Sequence, residues 1–263
     1  NTWNTKYLPM FDTSLYDRFG QEFKVSKVVD KLPGGGMLFN PDKYNNYSQQ
    51  YLPAALLVSY FLSFASITSV IVQVALFDGK GIWHQLRHPM EAQADIHMRL
   101  MMRYKETPKW VYGILFLVSF AMGIGALYGW DSQMPWWAFI VAIIIGAVFL
   151  VPIGVVCARS GVEVGLNMLS ELIVGYMLPG RPYAMMIFKT TMYMITSQGL
   201  AFVSDQKIAH YMKVPPRSVF AAQVLATAVG GIVQVAVQTW AFSNINNICQ
   251  QDNKDHFLSL IHI

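Results

Sequence analysis

The sequence predicts an all-α fold: a polytopic helical membrane protein with about six transmembrane or re-entrant helices. Three observations carry that expectation. Of 263 residues, 54% are hydrophobic and only 13% are charged, where a soluble domain carries ~25% charged residues. Mean hydropathy is +0.36. Six stretches approach the ~20 mostly apolar residues of a bilayer crossing: 52–77, 110–130, 136–157, 162–179, 183–204 and 218–242. Four of the six contain no Asp, Glu, Lys or Arg. Six such runs exceed what a soluble core needs, and lipid admits only helices or closed barrels. The strand alternation of a barrel is absent, and the apolar content excludes disorder.

Taken in order, residues 1–51 form a non-cytoplasmic segment, 52–242 the transmembrane region and 243–263 a tail. The chain starts at Asn1 rather than Met with no signal peptide ahead of it, which suggests a fragment or processed piece. Trp110, Tyr112, Trp130, Trp136 and Trp137 cluster at span ends, as interfacial aromatic belts do. Gly125–Gly129 and Gly161–Gly165 are small-xxx-small pairs expected at helix packing contacts. Pro152 falls inside the third stretch and is expected to kink it.

The loops set the orientation. Residues 79–109 hold Lys80, Arg87, Arg99, Arg103, Lys105 and Lys109, and 205–217 hold Lys207, Lys213 and Arg217. The 131–135 loop holds no lysine or arginine. With six spans both basic loops fall on one side, together with Arg159, and the positive-inside rule makes that side cytoplasmic. The six lysines and arginines of 1–51 run against this mildly, but long segments count little in the rule. Asn46-Tyr47-Ser48 is then a glycosylation sequon on the outer side, so near the first span that its use is not expected.

Charges inside a membrane are costly and mark pathways or partners. Glu163, Glu171 and Lys189 are such charges. Glu163, Asn167 and Glu171 recur every four residues, which on a helix makes one polar stripe. Pro179-Gly180-Arg181-Pro182 should end one helix and begin the next. Glu171 and Lys189 each lie nine residues from Gly180. In an antiparallel hairpin they share one depth, ~13 Å below the turn at ~1.5 Å per residue, near the middle of a ~30 Å core.

Two readings of a Glu171–Lys189 pair remain open: a structural ion pair, or a substrate and proton site of a transporter. A peptide offers an ammonium and a carboxylate, to which a buried carboxylate and a buried ammonium are complementary. A carboxylate taken out of water also holds a proton more readily. Gln198 and Gln223 add amides that either meet a peptide backbone or bond a neighbouring helix.

Other chemistry is poorly represented. The net charge of +4 is too small and scattered for nucleic-acid binding. Cys157 and Cys249 stand far apart, so neither a disulfide framework nor a cysteine metal site is expected. His84 and His88 are four apart and His97 follows, but no carboxylate completes a metal set, and a solvated loop is the expectation. Gly34-Gly35-Gly36 lacks the Lys-Ser/Thr of a phosphate loop and reads as a turn. No nucleophile motif, zinc-protease motif or dinucleotide fingerprint occurs, so no enzyme is expected.

Specific stretches carry a resemblance. NTWNTKYLPM (1–10), YNNYSQQYLP (44–53), LSFASITS (62–69), DIHMRLMMRYKETPKWVY (95–112), GLNMLSELIVGYMLPGRP (165–182), FKT (188–190) and SDQKIAHYMKVPPR (204–217) occur in this order. With them the chain resembles the oligopeptide transporter (OPT) family, in its peptide-transporting branch, from Asn1 to about Asp252. The last residues, 256–263, are unlike the family.

The resemblance implies a secondary transporter importing small peptides, about tetra- to pentapeptides and in some cases glutathione, coupled to protons. It implies a plasma-membrane protein with a dozen or more transmembrane helices. This chain would then be a fragment, without the family's N-terminal N-P-G half and its last spans. The partners implied are a small peptide, the lipid bilayer and those missing halves. No cofactor beyond the coupling proton and no metal is implied. Asn167, Glu171, Lys189 and Gln198 fall on matching positions of the polar helices. Glu163 departs from a glutamine common in the family. A metal-chelate transporter of the same superfamily and a non-transporting membrane scaffold are the alternatives.

Overall fold

The computed structural model describes residues 8–12, 14–31, 36–87, 96–130 and 132–244. They fall into two compact units. Unit 1 takes its residues from 1–93 and 109–204, and unit 2 from 94–108 and 205–263. The tail beyond 244, Cys249 and His88 lie outside the described residues.

In unit 1, the segment ahead of the first span is a small folded cap. Strands β1 (Val29–Lys31) and β2 (Met37–Phe39) pair antiparallel, Asp30 opposite Leu38. The glycines read as a turn fall between them, with 34 and 35 outside the described residues. Helix α1 (Pro41–Tyr47) starts where the Asn40 side chain accepts from the amides of Asp42 (2.9 Å) and Lys43 (3.2 Å). Proline at the first helical position needs no such partner. Phe23, Val28 and Val29 make a core with Tyr44 and Tyr47 packed against it. Two mutual backbone hydrogen bonds, of 3.0 and 2.9 Å, tie Tyr16 to Tyr51.

Two carboxylates hold this cap by their charge. The Lys43 ammonium, and after it the Asn40 amide, hold the Asp30 carboxyl below the usual carboxylate range. Burial pushes the Asp17 carboxyl up, but the Gln21 and Phe19 amides and the Tyr47 hydroxyl outweigh it and bring it below that range. A carboxyl depressed by folding stabilises above its unfolded value, and the contribution is lost as pH falls through its folded value. Amide protection relative to the unfolded chain, across 14–31 and 36–51, should therefore be high at neutral pH and fall on acidification below about pH 4. Hydrogen–deuterium exchange against pH, corrected for the intrinsic rate at each pH, checks this. Protection unchanged down to the acid limit would contradict it.

The helical part of unit 1 follows from the apolar runs. Helix α2 (Ala54–Gln73) leads through a π-turn (Val74–Asp78) into α3 (Gly79–Arg87). Helices α5 (Lys109–Gly129) and α6 (Trp136–Ser160) follow, then α7 (Asn167–Met177) and α8 (Pro182–Tyr211). Helix α6 runs through Pro152 and is capped by Gly161, which takes φ 70° and whose backbone N–H donates a hydrogen bond to the Cys157 carbonyl (2.8 Å). In unit 2, α4 (Ile96–Met101) and α9 (Pro216–Asn244) are the helices, with the end of α8.

Among the described residues, four helices are long and apolar enough to cross a membrane: 54–84, 109–129, 136–160 and 216–244. The all-α membrane architecture is thus present with four such helices, not specifically six. The two shortfalls have physical causes. Helix α7 has 11 residues, ~16 Å of helix against a ~30 Å core. Helix α8 is 30 residues long, but Lys189, Thr190, Gln198, Asp205 and Lys207 lower its apolarity.

Among the described residues, the glycine pairs expected from sequence do not form the close helix contact. A side chain at Gly125 or Gly129 would meet nothing within 4 Å, and Gly161 is a helix cap. The close approach is made elsewhere. Ala138, Ala142 and Gly146 recur every fourth residue on one face of α6, all buried. A Cβ at Gly146 would lie 3.1 Å from Ile195 Cγ2, and one at Gly199 would lie 2.9 Å from Leu150 Cδ1. Helices α6 and α8 therefore interlock, each placing a bulky side chain over the other's glycine.

Candidate functional site

The chain between α6 and α7 explains the site. Residues 162–166 are not helical, so α7 begins at Asn167, part-way into the fourth apolar stretch. Leu166 fixes the break by its burial, at 1% exposure. Helix α7 then rises to the Pro179–Pro182 turn. There Gly180 takes φ 80°, and its carbonyl accepts from the Phe39 amide (3.0 Å). The Arg181 guanidinium donates to the Gln133 carbonyl (3.2 Å). Cap, turn and the α5–α6 loop thus meet at one end of unit 1. At the ends of the π-turn and of α6, Asp78 pairs with Arg159.

Below the turn, Lys189 Nζ donates to Glu171 Oε1 at 2.6 Å. The lysine follows Phe188 and precedes Met192, both at 0% exposure. Its methylene stem thus lies in the core while its ammonium reaches across to α7. The two partners are unequal: the Lys189 side chain is 8% exposed, the Glu171 side chain 22%. The carboxylate is the more exposed end of the pair.

The other sequence candidates divide. Asn167 lies one turn before Glu171 on α7, half-buried, and its carbonyl accepts from Ser170 Oγ (2.6 Å). A side chain at Gly165 would come within 3.8 Å of the Asn167 amide nitrogen and 4.0 Å of Tyr193 Cε2. Tyr193 stands one turn beyond Lys189, so the broken segment runs along the Lys189 side of α8. Glu163 is not on a helix. It is exposed in the 162–166 segment, and the three-residue stripe expected from four-residue spacing is reduced to Asn167 and Glu171. Gln198 is exposed on α8, nine residues past Lys189, ~13 Å along the axis, and the fold does not bring it to the pair. In unit 2, Gln223 accepts from the Gln206 amide (2.9 Å), a helix-to-helix bond.

One residue of the site escaped the sequence reading. Tyr60 of α2 stands near the Glu171 carboxylate, where α2 packs on α7. Tyr60 is 111 positions away, and no local spacing links it to α7. Its hydroxyl is one of several in a charge-free run that also holds Ser59, Ser63, Ser66, Thr68 and Ser69, so nothing in the sequence singled it out. A groove of 570 Å³ on α2, lined by residues including Met10, Phe11, Ser59, Ser63 and Ser66, contains none of Tyr60, Asn167, Glu171 and Lys189. The Ser63 and Ser66 hydroxyls donate to the carbonyls one turn back.

The family model described as OPT oligopeptide transporter protein matches residues 1–259. The sexual differentiation process protein isp4 of Schizosaccharomyces pombe is 45% identical over 257 residues, covering 98% of this chain and 32% of its own length. Glutathione transporter 1 of the same yeast is 40% identical, over 97% of this chain and 30% of its own length. Oligopeptide transporter 1 of Saccharomyces cerevisiae is 39% identical, over 98% of this chain and 32% of its own length. The chain therefore spans about a third of the length of these relatives. No solved structure matches. The match along nearly the whole chain shows that it belongs to the oligopeptide transporter family.

Proposed function

We propose that this chain is the part of a secondary transporter that binds small oligopeptides and couples their import to protons. The remaining two-thirds of the relatives' length supplies the opposing half that alternating access requires. In this reading six membrane elements are present: the four apolar helices, α8 as a polar crossing and α7 as a re-entrant half-helix. The cap and the Pro179–Pro182 turn face outward, the basic loops face the cytoplasm, and the protein resides in the plasma membrane.

The observation that carries the reading is the Lys189–Glu171 pair, its lysine buried, beside a non-helical segment. Protonation of Glu171 cancels its charge and releases the Lys189 ammonium to take the carboxylate of a peptide. Loss of that proton on the other side restores the pair and expels the carboxylate. Tyr60 and Asn167 hold Glu171 and the peptide backbone. The names of two relatives, a glutathione transporter and an oligopeptide transporter, support glutathione and tetra- to pentapeptides as substrates.

The test is Glu171→Gln in the full-length parent protein. Peptide uptake by the wild type should rise as outside pH falls. The variant, at equal surface expression, should lose most of that dependence. An unchanged pH profile would move proton coupling to another part of the transporter.

A further inference from the structure

Unit 2 gathers positive charge where two helices end. Arg103, Lys105, Lys207, Lys213 and Arg217 are all exposed, and no ion pair among the described residues engages them. Against them the described residues of the unit carry only two carboxylates, Glu106 and Asp205. Two contacts bring the sequence segments together. Arg217 Nε donates to the Glu106 carbonyl (3.2 Å), and the His97 ring meets the Tyr211 ring edge-on at 5.1 Å.

This surface lies at a membrane boundary. Helix α9 is long and apolar enough to cross, so its first residue, Pro216, and the loop before it sit at the edge of the bilayer. Among the cations stand exposed apolar side chains: Met102, Tyr104, Tyr211 and Met212. Lys207 precedes Tyr211 by one turn and shares its face of α8.

Lys213 adds a backbone observation. The Val214 amide bonds the Ala209 carbonyl (3.0 Å) and the Lys213 amide the His210 carbonyl (3.3 Å). This is the double closure of a Schellman cap, with Lys213 at the left-handed position, φ 60°. Glycine holds that position without the clash of a Cβ. A lysine there keeps a strained backbone and gains a charge at the bilayer edge.

We propose that this surface binds the headgroups of anionic phospholipids. Lys207, Lys213 and Arg217 take the phosphate and any further anionic group, while Tyr211 and Met212 seat at the base of the acyl chains. The charge excess and the apolar neighbours fit a lipid: a soluble anion would leave Met212 and Met102 in water. The site is separate from the Glu171–Lys189 pair and does not depend on the transported substrate.

The test uses the full-length parent protein in detergent, titrated with dioleoylphosphatidylserine or dioleoylphosphatidylcholine and read by native mass spectrometry. Phosphatidylserine should bind more tightly than phosphatidylcholine. Lys213→Gly should weaken phosphatidylserine about fivefold, the effect of one cation at a membrane surface, with thermal stability unchanged or raised. Adding Lys207→Gln and Arg217→Gln should weaken it further and leave phosphatidylcholine unaffected. Equal affinity for the two lipids, or phosphatidylserine binding indifferent to Lys213→Gly, would overturn the proposal. Peptide uptake does not enter the readout, so this result stands apart from the transport reading.

Discussion

Lys189→Met should destabilise the protein by about 3 kcal/mol, the lower end of the range for breaking a buried ion pair. The lysine is almost wholly enclosed, and its removal leaves the Glu171 carboxylate without its cation. Glu171 keeps a fifth of its side-chain exposure (22%), so water or a proton can compensate in part, which sets the effect at the low end. Removing both charges, as in Glu171→Leu with Lys189→Met, should restore most of the stability, since two apolar side chains carry no desolvation penalty. Thermal unfolding of the detergent-solubilised full-length protein measures both changes. Uptake separates structure from function: the double variant should reach the surface and transport no peptide. Normal uptake by the double variant would reduce the pair to a structural role.

Gly146→Val should cost about 2–3 kcal/mol, whereas Gly125→Val should be nearly neutral. At Gly146 a new side chain runs into Ile195, and the Met192 carbonyl oxygen lies 3.4 Å away. Ile195 is β-branched and stiff at χ1, so helices α6 and α8 must separate to make room. At Gly125 nothing lies within 4 Å. Separation of α6 from α8 also shifts the helix that carries Lys189, so Gly146→Val should lower peptide uptake beyond its loss of expression. Thermal midpoints of the two variants check the order. A larger loss at Gly125 would contradict the packing described.

The membrane architecture was legible because long charge-free runs have few other uses. The approach of Glu171 to Lys189 was legible too, because a Pro-Gly-Arg-Pro turn makes equal separation in sequence equal depth in space. The misreadings share a cause, which is that spacing was treated as structure. Four-residue spacing from Glu163 to Glu171 makes a stripe only on a continuous helix, and 162–166 is not helical. The Gly125–Gly129 spacing marks a packing face only if a partner helix lies against it. The face that packs, Ala138–Ala142–Gly146, was hidden because small residues in an apolar run look like any others. Tyr60 joins the site through the contact of α2 with α7, a long-range contact that no local pattern records.

The membrane region thus combines a rigid part with an adaptable one. Interlocked glycines hold α6 against α8, and so hold Lys189 in place. The non-helical segment ahead of α7 leaves Glu171 one turn into a short helix, joined to Lys189 by a charge-assisted hydrogen bond. An arrangement of this kind suits a carboxylate that must exchange one partner for another as it gains and loses a proton.

The measurement that tests this most directly is peptide-evoked current in cells expressing the full-length parent protein. A tetrapeptide, glutathione and a metal chelate would each be applied at acidic and neutral outside pH. The account predicts an inward current with a peptide that grows as outside pH falls. It also predicts that Lys189→Gln and Glu171→Gln abolish or flatten that current per transporter at the cell surface. Current with the chelate alone, silence with all three ligands, or full peptide current in both variants would contradict it.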